Sequence, residues 1–345
     1  MARTAGAPVP ARSSARRAWL ADAPVLMVAV VWGSSYLATK EITSNSTVVA
    51  MLLLRFLVAI PLLGIAAGRR IRRLTPRELR GGLVLGLILT TIFLLETYGV
   101  VHTSATNAGL IISLTMIFTP LAESAFGRTM PSRAFLGAAG LSVVGVALLT
   151  QGSGFTAPSL GDLLMLLAAL ARTANVLVMH RLPAVRETDD GALTFVQLAT
   201  AVLVFGLLSP FIGTTPQHLA ATLTAAQWLD VLYLALMCTL FAFFVQLWAV
   251  RRTTPSRVSL LLGTEPLWAA VVGISLGGDV PGVLGFIGAA LVLAGTFWGR
   301  RAAAPPPPAH RHQLPAADLD PDLDPDLDGN RSTEGDPELE GNRTA

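Results

Sequence analysis

Apolar residues run almost unbroken through ten stretches of this chain: 23–40, 46–66, 80–101, 105–126, 134–151, 161–181, 191–212, 228–250, 256–276 and 281–299. A helix that crosses the hydrocarbon layer needs about 20 mainly apolar residues. The pattern therefore predicts ten membrane-spanning helices. No gap between them is long enough to fold as a domain. The connections near 67–79 and 213–227 are the longest and remain loop-sized.

Hydropathy breaks recur at matching places in the two halves of the chain. At an offset of about 150 positions Phe93 meets Phe243, Thr103 meets Thr253, Leu110 meets Leu260 and Gly145 meets Gly295. The first and sixth stretches align at an offset of about 140, led by Asp22 and Asp162. Five spans per half is an odd number, so the second half lies inverted relative to the first. Inverted repeats give two conformations of similar energy, open to opposite sides around a site near the midplane. The expected fold is an all-α integral membrane protein, ten transmembrane helices arranged as two inverted five-helix repeats. Its parts are 1–18, a disordered N-terminus; 19–151 and 152–301, the two repeats; and 302–345, a disordered acidic tail.

Composition agrees with a bilayer. Hydrophobic residues make up 52% of the 345 and charged residues 14%, against about 25% charged in soluble domains; mean hydropathy is +0.60. Net charge is +3, but the two ends of the chain differ. Residues 1–301 carry 22 basic and 12 acidic groups, and 302–345 carry 3 and 10. With the N-terminus inside, inner connections hold nineteen arginines and outer ones a single basic residue, Lys40. That asymmetry is the positive-inside signal. It places both termini in the cytoplasm, in a cell membrane, and makes nucleic acid a poor partner. The one cysteine, Cys238, excludes intramolecular disulfides and multi-cysteine metal sites. No metal site and no cofactor are expected.

Residues of four spans carry the resemblance to a known family. Trp32-Gly33-Ser34-Ser35-Tyr36, Leu54-Arg55-Phe56, Thr103 to Ile111 entering the fourth span, and Glu265-Pro266-Leu267 are together similar to the EamA domain of the drug/metabolite transporter superfamily. The resemblance covers about 20–300. It implies a ten-helix exporter of small metabolites, amino acids or drugs. Two positions depart from the family pattern. Met116 stands where proline is usual, so span four is expected to kink less than its partner, which has Pro266. Gly127-Arg128 replaces a usual Gly-Glu.

A charge at the bilayer centre costs roughly 2.5–3.5 kcal/mol on insertion scales, so each one marks a candidate site. Arg55, Glu96, Glu123, Arg172 and Glu265 stand inside spans. Helical spacing places Trp32, Ser35, Tyr36 and Thr39 on one face of span one, and Arg172 with Asn175 on one face of span six. The repeat then pairs Trp32 with Arg172, Ser35 with Asn175, Phe93 with Phe243, Glu96 with Gln246 and Thr115 with Glu265. Leaving Thr39 aside, these eleven residues are the expected substrate cavity, with Glu96 and Gln246 nearer the membrane edge than the rest. Arg172 is the expected holder of a substrate carboxylate, or the partner of Glu265 in a fixed ion pair. Glu96 and Glu265 are the candidates for proton coupling, because a carboxyl in a low-dielectric cavity can exchange a proton for substrate. Arg55 matches the family's second-span basic residue, and a packing role is expected for it, as for Gly109, Pro120 and Pro266. Small-residue pairs such as Ala138/Ser142 and Gly285/Ala289 let helices approach closely and make spans five and ten candidates for a homodimer contact. The expected partners are the lipid bilayer and a small-molecule substrate.

Two other function classes are weaker. A membrane-embedded enzyme lacks a nucleophilic serine with a nearby histidine and acid, and no phosphate-binding loop exists for ATP drive. A non-transporting sensor or scaffold has only the acidic tail in its favour.

Overall fold

The computed structural model describes residues 12–127, 130–149, 158–182, 188–252 and 261–303, with side chains described from Asp22 onward and excepting His180, Gln246, Leu247, Val250 to Arg252, Arg300 and Ala303. The chain divides into two units, Met1–Ala304 and Pro305–Ala345. The second, which holds the acidic tail, lies outside the described residues.

Every described element is helical: α1 (Arg12–Ile42), α2 (Val48–Ile71), α3 (Pro76–Val101), α4 (Ala105–Ile112), α5 (Thr115–Gly127), α6 (Arg133–Leu149), α7 (Leu160–Arg181), α8 (Asp190–Leu208), α9 (Pro216–Thr222), α10 (Ala225–Leu232), a π segment (Tyr233–Phe241), α11 (Ala242–Arg252), α12 (Glu265–Ser275) and α13 (Val283–Ala303). Each of the ten expected stretches contains helix. Seven helical runs are long and apolar enough to cross a membrane, while the apolar helices Arg133–Leu149 and Val283–Gly299 are shorter. At 1.5 Å per residue the 17 residues of α6 reach about 25 Å, short of the roughly 30 Å hydrocarbon layer. The stretch expected at 256–276 enters the described residues at Leu261. Helix α1 begins at Arg12, inside the segment that composition assigns to disorder. Arg and Ala, which fill its first turns, are among the better helix formers.

Local chemistry sets the helix starts. Thr75 and Glu78 form a reciprocal capping box ahead of Pro76 at the first position of α3, an arrangement that satisfies orphan N–H groups. Ser159 and Asp162 do the same for α7, and Thr224 with Gln227 for α10. Ser104 caps α4 through Asn107 N, and Asp189 caps α8.

Three spans depart from continuous α-helix. The fourth breaks between Ile112 and Thr115, although Met116 stands where proline is usual. Ser113 Oγ donates to Leu110 O at 2.6 Å and Thr115 Oγ1 to Ile112 O at 2.8 Å. These hydroxyls bond back to carbonyls one turn earlier and compete with the helical ladder. The missing proline therefore does not make the fourth span continuous: hydroxyl back-bonding interrupts the helix without a ring. The ninth span has its turn at Gly263–Thr264, 150 positions later, with Thr264 Oγ1 donating to Leu261 O at 2.7 Å. The eighth span contains the π segment, nine residues long, a geometry that is rare and concentrated at functional sites.

Small residues bring the helices together. Helices α6 and α13 pack along their lengths, and a Cβ on Gly145 would lie 2.6 Å from Val292 N. One on Gly295 would lie 2.2 Å from Ser142 Oγ. The small faces of spans five and ten thus meet each other within the chain. Gly109 of α4 faces Ala269 of α12, where an added Cβ would sit 2.1 Å from the alanine methyl. Pro266 is buried in the first turn of α12. Pro120 lies inside α5 and is half-buried.

Candidate functional site

Between these helices lies a cavity of about 750 Å³. Helix α1 contributes Trp32, Ser35, Tyr36 and Thr39, the single face expected from i, i+3, i+4, i+7 spacing. Helix α3 contributes Phe93 and Glu96, α7 Arg172 and Asn175, α5 Thr115, α11 Phe243 and α12 Glu265. Ten of the eleven expected cavity residues therefore share one lining. The eleventh, Gln246, lies in α11 with its side chain outside the described residues. Of the five in-span charges only Glu123 stands apart, exposed near the end of α5.

The charges pair differently from expectation. Arg172 Nε donates to Glu96 Oε1 at 2.5 Å, whereas Glu265 Oε1 accepts from Tyr36 Oη at 2.7 Å. Glu96 is 8% exposed and lines the cavity. Side-chain direction explains the pairing. Helical side chains lean toward the N-terminus of their own helix. Helices α3 and α7 pack side by side, with Gly99 near the α3 C-terminus against Gly161 at the α7 N-terminus, so they run antiparallel. Glu96 leans back along α3 while Arg172 leans toward the α7 start, and the two side chains converge.

Among the lining residues that sequence reasoning missed are Arg55, Gln197 and Thr239. Arg55, assigned to packing, is 9% exposed and opens onto the cavity. Its Nε and Nη2 donate to Thr239 Oγ1 of the π segment at 3.2 and 3.1 Å. Gln197 of α8 lines the same wall. A lone amide in an otherwise apolar stretch was the available signal for Gln197; nothing in the sequence marked Thr239. The aromatic part of the lining is fixed by its own contacts. Trp32 Nε1 donates to Cys238 O at 2.9 Å, and its ring meets Phe243 edge-on, centroids 6.4 Å apart. Asn175 Oδ1 is buried without a hydrogen-bond partner among the described residues.

The two ends of the cavity are unlike. Toward one face the lining continues to Ala67, Arg70, Asp190 and Thr194, where Arg70 Nη1 also meets Asp189 at 2.9 Å. At the other end, polar groups from five segments interlock. Lys40 Nζ donates to Thr103 O at 2.7 Å, Thr103 Oγ1 to Asp162 Oδ1 at 2.6 Å and Asn107 Nδ2 to the same oxygen at 3.3 Å. The Thr106 backbone N–H donates to Asp279 at 2.9 Å. Gly278, at φ +68°, turns the chain after α12 and brings Asp279 there, a conformation most residues avoid.

Comparison with known proteins adds the family to this geometry. The description of the EamA-like transporter family fits residues 19–151 and again 159–299. This chain belongs to that family. It is a multi-pass membrane protein of a transporter family, not an enzyme family. An "Uncharacterized transporter" of Archaeoglobus fulgidus is 24% identical over 79% of this chain and 83% of its own length. A "Probable terminal-alkyne amino-acid exporter" of Streptantibioticus cattleyicolor is 26% identical over 82% and 96%. A protein solved by crystallography, 17% identical, shares the fold with a TM-score of 0.51 over 81% of this chain and 95% of that one.

Proposed function

We propose that this chain is a secondary exporter of small amphipathic metabolites, amino acids foremost, and that ten spans in two inverted five-helix repeats alternate access to the cavity. The observation that carries the reading is the cavity's asymmetry: it reaches Arg70 and Asp190 at one face, while Thr103, Asp162 and Asp279 close the other. With the arginine-rich loops and both termini in the cytoplasm of the cell, this is the inward-open state. The two broken spans, four and nine, place Thr115 and Glu265 on the cavity wall at matching positions, as discontinuous helices do in transporters built from inverted repeats. The amino-acid exporter among the relatives supports the substrate class.

Glu265 is the better of the two proton-coupling candidates. Its partner is a neutral phenol, so it can change charge without breaking an ion pair, whereas Glu96 is held by a guanidinium. Proteoliposomes loaded with labelled hydrophobic amino acids test both points. Efflux that depends on the protein supports the exporter. Rates that are equal with and without a pH gradient exclude proton coupling.

A further inference from the structure

Six charged residues line the cavity: Arg70 and Asp190 toward the arginine-rich face, and Arg55, Glu96, Arg172 and Glu265 deeper in. Of the deeper four, only Arg55 lacks a charged or phenolic partner. Among the described residues no carboxylate comes within ion-pair distance of its guanidinium. Two of its N–H groups go to one hydroxyl oxygen, Thr239 Oγ1, which itself donates to Leu234 O at 3.0 Å. A guanidinium carries five N–H donors, so three of them have no acceptor among the described residues. The rings of Phe56 and Phe93, 5.8 and 5.2 Å from its central carbon, stabilise the cation without neutralising it. Arg55 is nine-tenths buried and opens only onto the cavity.

We infer that Arg55 holds the carboxylate of the transported solute, its unused N–H edge forming the forked contact that guanidinium and carboxylate favour. The inference rests on the transport reading above and names the solute's chemistry. Arg172 is already taken by Glu96, so it is not the holder. Arginines and carboxylates balance in the lining. A zwitterion keeps that balance, while a lone anion leaves an uncompensated charge away from water, which is costly. Its ammonium faces Glu265 and its apolar part the aromatic wall of Trp32, Phe93 and Phe243. The solute is an amphipathic amino acid.

Three probes of nearly equal shape test this on the purified full-length protein: L-leucine, leucinamide and 4-methylpentanoate, titrated against the thermal unfolding midpoint. Wild type should bind leucine more tightly than either analogue. Losing a charge-assisted contact weakens binding about tenfold or more, so Arg55→Gln should bring leucine to the level of leucinamide, and Arg172→Gln should keep the preference. Arg55→Lys retains the charge without the fork and should shrink the leucine-to-leucinamide ratio; it serves if Arg55→Gln does not fold. A preference for leucine that survives in both Arg55 variants overturns the assignment, as does a wild type that binds none of the probes or binds leucinamide equally well. Flux separates the two readings. Wild-type proteoliposomes that move no probe defeat the transport reading. Leucine flux with an unchanged KM in Arg55→Gln defeats only the role of Arg55.

Discussion

Removing the Thr103 hydroxyl tests whether the sealed end of the cavity is a gate. Thr103 Oγ1 donates to Asp162 Oδ1 at 2.6 Å, and both residues are buried. Asp162 still accepts from Asn107 Nδ2 and, through Oδ2, from the Ser159 backbone N–H at 2.9 Å, so Thr103→Ala leaves the cap of α7 in place. Only the bond between the α3–α4 turn and α7 is lost. A hydrogen bond to a charged group contributes about 1.5–3 kcal/mol. If that energy belongs to the sealed state alone, the ratio of sealed to unsealed molecules falls by roughly 10- to 150-fold. The readout is labelling of Ser35→Cys, placed in the cavity wall in a Cys238→Ala background, by a membrane-impermeant maleimide applied to the face opposite the arginine-rich loops. Labelling from that face should rise at least fivefold while the unfolding midpoint stays near that of the parent. An unchanged labelling rate with a lowered midpoint refutes the reasoning, because the bond would then stabilise the fold in every state.

Three further expectations concern packing and the charge pairs. Gly109→Ala presses a methyl against Ala269, from which its Cβ would stand 2.1 Å; overpacking of this kind costs about 1–3 kcal/mol, and Ala269→Gly should restore the midpoint in a thermal melt. Glu96→Gln strips Arg172 of its partner. Breaking a buried pair costs about 3–5 kcal/mol, but the Arg172 side chain is 34% exposed, so solvent screening should reduce the loss to about 1–2 kcal/mol. Denaturant unfolding should then find Glu96→Gln with Arg172→Gln more stable than Glu96→Gln alone. Tyr36→Phe removes the hydrogen bond to Glu265 and should change the pH dependence of efflux more than its rate at the optimum; identical pH profiles would count against Glu265 as the coupling group.

Much of the cavity was legible from two periodicities acting together. Helical spacing selected one face of α1, and the repeat offset carried Phe93 to Phe243 and Thr115 to Glu265, which is why ten separated positions converge on one wall. What the sequence left hidden depends on direction and backbone geometry. Which carboxylate meets Arg172 follows from the lean of two antiparallel helices, and residue spacing says nothing of it. The break at Ser113–Leu114 arises from hydroxyls that also occur in unbroken helices. The π segment has no local code, so the hydroxyl it turns toward Arg55 came only with the fold. The small-residue pairs of spans five and ten signalled close approach correctly but not that α6 and α13 were each other's neighbours.

The balance of arginines and carboxylates around the cavity also bears on energetics at the level of the cell. Carrying one elementary charge through 100 mV takes about 2.3 kcal/mol, work that a wall of cancelling charges does not perform when it turns from one side to the other. With a load that is itself neutral overall and no proton exchanged at Glu265, the empty and the filled carrier would both be indifferent to voltage. If the proposed export runs without a proton, a cell whose membrane had depolarised would keep this route of disposal running for as long as the solute was more concentrated within.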